Sequence, residues 1–253
     1  MAKQLMIYEE VVPVSAQRHG DLSVESGIPY EFARDVRALP LVAEEIPHAA
    51  REYTVVFAAT GASAEVTPFV ILGVQEKENL YVSKDGDWTA KYIPAFVRRY
   101  PFVFASSDDA TKFTLCIDET WQGCNKEGRG ERLFDDEGNR TPFLDRLLKF
   151  NEGYQRSAQK TSWYCNKLQE LDLLDAKQAQ LTLGDGKEIN LTGFMVVNRE
   201  KLNSLPAESL SELAKNGALE LTYAHLLSIN NLGLMVGRVA ERMSADPETP
   251  TPA

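Results

Sequence analysis

The sequence predicts an α+β fold. A mainly antiparallel sheet drawn from residues 53–118 and 178–197 packs against long helices at 142–174 and 206–243. Two observations carry this. Strand-like and helix-like runs are segregated along the chain, whereas regular alternation would point to a parallel α/β sheet. The strand-like runs also come in pairs joined by short turn signals, as antiparallel hairpins do.

Residues 1–50 read as an irregular arm, because Pro13, Pro29, Pro40 and Pro47 each disfavour helix at the preceding residue. Short extended pieces such as Met6–Val14 and a short helix around Tyr30–Arg37 are expected. Apolar residues such as Ile7, Val11, Leu22, Leu39 and Ile46 predict that the arm lies over a core instead of forming a free tail. Tyr53–Ala59 and Val66–Gln75 are β-branched and aromatic around a Gly61-Ala62-Ser63 loop, which predicts a hairpin. Leu80–Ser83 follows as a strand, then a turn at Asp85-Gly86-Asp87. Pro94–Tyr100 suits a short helix, and Tyr100–Ala105 with Thr111–Ile117 suits a second hairpin around Ser106–Asp109.

Cys124–Asn139 reads as a polar loop, either functional or a solvated excursion. The best helix is 142–174. Thr141 can cap it, Pro142 suits its first turn, and Phe143, Leu147, Phe150, Tyr154, Ala158, Thr161, Cys165, Leu168 and Leu171 recur at steps of three or four. Unbroken, it would span about 48 Å at 1.5 Å per residue. Gln178–Leu183 and Glu188–Val197 flank Gly184-Asp185-Gly186 as the clearest hairpin. Short helices follow at 199–202 and Ala207–Lys215, with Asn216-Gly217 as a stop. Leu219–Met243 reads as one final helix. Residues 3–243 are expected to form a single domain, and the Pro-rich tail 244–253 to be disordered.

Composition narrows the function. Of 253 residues, 43% are hydrophobic and 25% charged, so a globular core needs no metal or disulfide. No apolar run is long enough for a transmembrane helix, and no apolar leader marks a secretory signal, so a cytoplasmic location is expected. Cys116, Cys124 and Cys165 are odd in number, unlike a disulfide framework. A net charge of −10 argues against nucleic acid, which is held by Lys and Arg.

No phosphate-binding loop, dinucleotide fingerprint, nucleophile elbow or H-E-x-x-H pair occurs, so no cofactor is expected. His19, His48 and His225 are far apart in sequence, and no metal ligand set is expected. The alternative is a facial-triad iron site beginning at His19 and Asp21 with a distant histidine. The plain reading there is a turn at Gly20. Cys116 and Cys165 read as core, and Cys124 as the most exposed thiol. Arg98, Arg99 and Tyr100, with Arg129, Arg132 and Arg140, give an acidic chain a local positive reserve. Arginine forks hold carboxylates or phosphates, so Arg98, Arg99, Tyr100, Arg129 and Arg132 are the candidate ligand- or partner-binding residues. The competing reading pairs these arginines internally with Asp108, Asp109, Asp118, Asp135 and Asp136.

The strings MAKQLMIYEEVVPVSAQRHGDLSV, KYIPAFVRRYPFVFA, FTLCIDE, GRGERLFDDEGNRTPFL, LTGFMVVNREKLNSLP and LELTYAHLLSINNL resemble the SapC family, over residues 3–233. The family is associated with a bacterial surface-layer gene region. Its genes lie near those of flavin-dependent halogenase-like proteins, cupin-like oxygenases and outer-membrane receptors. The resemblance carries no established catalytic residues. It implies a non-enzymatic accessory or binding protein linked to a bacterial envelope or peptide-modification system, with a protein or peptide partner that is halogenase-like or receptor-associated. The alternatives are a metal-dependent oxygenase-like enzyme and a structural surface-layer component. A peptide-transporter permease shares the name but would span the membrane, and this sequence offers no span.

Overall fold

The computed structural model describes residues 6–61, 64–106, 112–184 and 186–245. The expected turn residues Ala62-Ser63, 107–109 and Asp185 lie outside these, as does the tail beyond Ala245. In chain order the elements are β1 (Val11–Pro13), α1 (Ala16–His19), β2 (Ser23–Val24), β3 (Ala38–Pro40), α2 (Ile46–Ala49), β4 (Thr54–Thr60), β5 (Glu65–Ile71), α3 (Ala95–Arg98), β6 (Phe102–Ser106) and β7 (Phe113–Asp118). There follow β8 (Cys124–Asn125), β9 (Glu131–Arg132), α4 (Pro142–Glu170), β10 (Leu174–Thr182), β11 (Glu188–Val197), α5 (Arg199–Asn203), α6 (Ala207–Lys215), α7 (Ala218–Ser228) and α8 (Leu232–Ala245). Every strand pair is antiparallel, so the fold is α+β as the sequence predicts.

The chain forms two compact units, Met1–Phe32 with Ala95–Arg156, and Ala33–Pro94 with Ser157–Ala253. The sequence reading treats 3–243 as one domain. Each unit is assembled from separated segments, so no linker marks a boundary.

The first unit holds a sheet in the order β1-β7-β6 and a small sheet in the order β8-β2-β9. Its core joins Leu22, Val24, Phe102, Leu115, Ile117, Leu133, Phe134 and Leu144. The arm is fastened as well as packed. Asp118, fully buried at the end of β7, accepts the Glu9 N–H at 2.7 Å and the Thr120 hydroxyl at 2.6 Å. Residues 124–139 are not one free loop. Within them β8 and β9 pair on either side of β2, which converts a polar excursion into a clasp.

The second unit is built on a five-stranded sheet, β10-β11-β4-β5-β3. One face carries Leu39, Val55, Phe57 and Val70, all fully buried. Phe57 meets the rings of Tyr164 on α4 and His225 on α7, at 6.1 and 4.8 Å between centroids. The Thr141 hydroxyl accepts the Leu144 N–H at 3.3 Å, and so caps α4 as expected. The helix ends at Glu170, four residues before the expected 174, with Asp172 in the left-handed region at φ 50°.

Three expectations are corrected. The helix around Tyr30–Arg37 shrinks to a 3-10 turn at Glu31–Ala33. Leu80–Ser83 makes only a bridge, Val82 to Trp88. The final helix breaks at residues 229–231, between α7 and α8. The apolar steps run straight through this break, but the polar residues there serve other backbone. Ser228 Oγ accepts the Val55 N–H at 3.0 Å, and the Asn231 amide donates to the Ala50 and Tyr53 carbonyls at 2.8 Å.

Candidate functional site

The cleft of the second unit arises from a fault in the sheet. Along the β10–β11 hairpin, Lys177 opposes Phe194 but the next pair is Ala179 with Leu191. Gln178 therefore faces both Thr192 and Gly193, a bulge that bends the strand. Gly193 sits at φ 82°, a conformation costly for any residue with a Cβ. Beyond this bend β11 no longer follows β4, and the two strands pair only at Met195 and Phe57. On the far side of that pair, α7 replaces the missing ladder. The Val197 N–H donates to His225 Nε2 at 3.1 Å, and the Val55 N–H to Ser228 Oγ.

The bend leaves a cavity of about 250 Å³ between the hairpin and the sheet. Its floor is the second face of the sheet, Val56, Ala58, Phe69 and Ile71, and its wall is Asn190–Phe194. Arg37 completes the rim. It is the one titratable side chain of the lining, it is exposed, and it makes no ion pair among the described residues. An apolar floor, two polar side chains at Asn190 and Thr192, and one permanent cation define a site for an apolar group bearing an anion. A broader depression over Glu44, His48, Arg51 and Glu220 mixes both signs of charge and expresses no such preference.

The residues singled out from the sequence lie in the first unit. Arg98 is the last residue of α3 and Arg99 begins the turn after it, and the two diverge: Arg98 is exposed over the Phe150 ring, whereas Arg99 is buried. Tyr8 joins Arg99 to Tyr100, with the Tyr8 and Tyr100 rings 5.1 Å apart. Burial holds the Tyr8 phenol protonated far above its usual range, partly offset by the Arg99 charge. Arg129 and Arg132 flank β2 in the clasp and are engaged there. Arg129 pairs with Glu25 at 3.2 Å and with Glu127, and Arg132 with Asp136 at 2.5 Å and the Gly20 carbonyl. Arg140 pairs with Asp145. Asp136 is thus one of the acidic partners expected from the sequence; Asp108 and Asp109 lie outside the described residues.

His19 and Asp21 do not converge. His19 Nε2 lies 2.8 Å from Glu119, whose carboxyl the hydrogen-bonding Arg18 holds below its usual range. Asp21 pairs with Lys126 at 3.0 Å. Among the described residues no three His, Cys, Asp or Glu side chains gather as metal ligands. Burial, reinforced by Asp118 and Glu119, pushes the Cys124 thiol up to about 12, so it is protonated and weakly nucleophilic at neutral pH.

Fold and cleft together define an α+β protein with a ligand-sized site beside a bent hairpin. The SapC family model matches residues 14–234, and the chain belongs to the SapC family. Neither a curated protein nor a solved structure matches it. No helix among the described residues is long and apolar enough to cross a membrane.

Proposed function

We propose that the chain is a non-enzymatic binding protein, an accessory of a bacterial envelope-linked or peptide-modifying system. Its ligand is the carboxyl end of a peptide or protein partner carrying an apolar residue. The observation that carries this is Arg37, an exposed cation with no ion-pair partner among the described residues, at the rim of an apolar cavity. A guanidinium holds a carboxylate through paired N–H groups but exchanges no proton at physiological pH, which suits retention over turnover. A cavity of about 250 Å³ accommodates one large side chain and its terminus.

N-acetyl-leucine and its amide, compared by two-dimensional amide NMR spectra of the whole chain, test the reading. The acid is expected to shift the Gly73, Thr192 and Gly193 resonances saturably, the amide much less. Arg37→Ala should abolish the difference while changing stability by less than about 0.5 kcal/mol, as for an unpaired surface residue. Equal shifts from acid and amide, or an unchanged response in Arg37→Ala, would contradict the assignment.

A further inference from the structure

The Arg99 guanidinium presents a second problem, in the other unit. It is 4% exposed, yet among the described residues it forms no ion pair. Its Cζ lies over the rings of Phe96 at 4.4 Å, Tyr154 at 4.5 Å and Tyr8 at 5.8 Å. Ring faces attract the cation but accept nothing in the guanidinium plane. In that plane, Nε and Nη2 are both buried and both without a hydrogen-bond partner. These two nitrogens bear the parallel N–H pair along one edge of the group, the edge that fits the two oxygens of a carboxylate. A buried charge with two idle donors is stable only when something compensates it.

Among the described residues, the chain's own acids do not fill the gap. Asp118, also fully buried, has its oxygens occupied by the Glu9 and Thr120 N–H groups and the Thr120 hydroxyl. The Tyr8 hydroxyl donates to the Phe102 carbonyl at 2.8 Å. The open edge offers one fork and one positive charge, which a small monoanion matches better than a multiply charged phosphate.

We propose that Arg99 is the anchor of a buried oxyanion site that takes a small carboxylate across its Nε and Nη2 edge. This site is independent of the Arg37 cleft and takes a free small anion, not a peptide end. Because both donors are closed from solvent, the anion is captured as the unit closes or opens locally.

Thermal melts after refolding in sodium formate or in sodium chloride at equal ionic strength test it. Formate bound to the native state alone raises Tm with concentration, each tenfold increase above the dissociation constant multiplying the folding equilibrium constant about tenfold. Arg99→Met should abolish the formate-specific increment and, in chloride, melt no lower than wild type, since it removes an uncompensated buried charge. Arg99→Lys keeps the charge without the fork and should lose most of the increment. Equal wild-type melting in formate and chloride, or an increment surviving in Arg99→Met, overturns the site. Should Arg99→Met fail to fold, the Arg99 Nε–H resonance of wild-type protein decides: a saturable shift with formate supports the site, and none overturns it.

Discussion

At Gly130 the absence of a side chain decides whether the clasp on β2 can close. The residue has φ 89°, and a Cβ there would lie 2.1 Å from the Val24 carbonyl oxygen. Gly130→Ala should therefore cost about 2 kcal/mol or more, from left-handed strain plus a backbone clash, measured by urea denaturation. Leu133, next to β9 and fully buried in the first unit's core, is a different kind of test. Leu133→Ala should cost about 2–5 kcal/mol, the range for an internal leucine whose cavity relaxes incompletely. At this scale the sequence was partly legible. Arg99 stood out because arginine beside arginine and tyrosine is conspicuous in an acidic chain. Its burial was not visible, because nothing in RRY says that the arginine ending a one-turn helix and the one after it face different ways. Arg37 was missed altogether. It stands alone in sequence, and only the bend of a hairpin that begins more than a hundred residues later in the chain gives it a cavity to guard.

The elements that matter most are the bent hairpin and the helix that mends the seam beside it. Alternating Ala179, Leu181, Ile189 and Leu191 predicted the hairpin, and the pairing confirms it. The bulge was hidden, since its one-residue shift of register falls just before Phe194-Met195-Val196-Val197, where every residue is apolar and no break in alternation marks it. His225 likewise read as one more position on a long helix. It is instead a hydrogen-bond acceptor for a strand, and burial pushes its imidazole down to about 4. A depressed histidine favours folding when neutral. Its contribution is complete above the unfolded value near 6.5 and is lost as pH falls from there towards 4. The loss should approach about 3 kcal/mol, at 1.36 kcal/mol per unit. His225→Gln, which retains an acceptor for the Val197 N–H but does not titrate, should flatten stability between pH 6.5 and 4. An unchanged slope in that variant would assign the acid sensitivity elsewhere.

Over the whole molecule, the two units interleave in sequence, with the chain passing between them after residues 32, 94 and 156. Segregated strand and helix runs made the α+β class legible, because class depends on local pattern. Unit membership depends on which distant segments pair, as when Val11–Pro13 joins Cys116–Asp118, and no local pattern encodes that. Neither unit is a contiguous fragment, so residues 1–94 expressed alone should show no cooperative thermal transition by circular dichroism. A sharp melt of that fragment would contradict the division. The clasp over β2 has a practical counterpart. Its ends are held by β8 and β9, while the span between them, Lys126–Gly130, turns at an exposed tip. Backbone held at both ends tolerates interruption between them. A single proteolytic nick after Lys126 would leave two polypeptides that separate in detergent yet travel as one particle in native buffer. The same tip offers a place to graft an epitope or fluorophore, and so to follow this protein in the cell without occupying either proposed site.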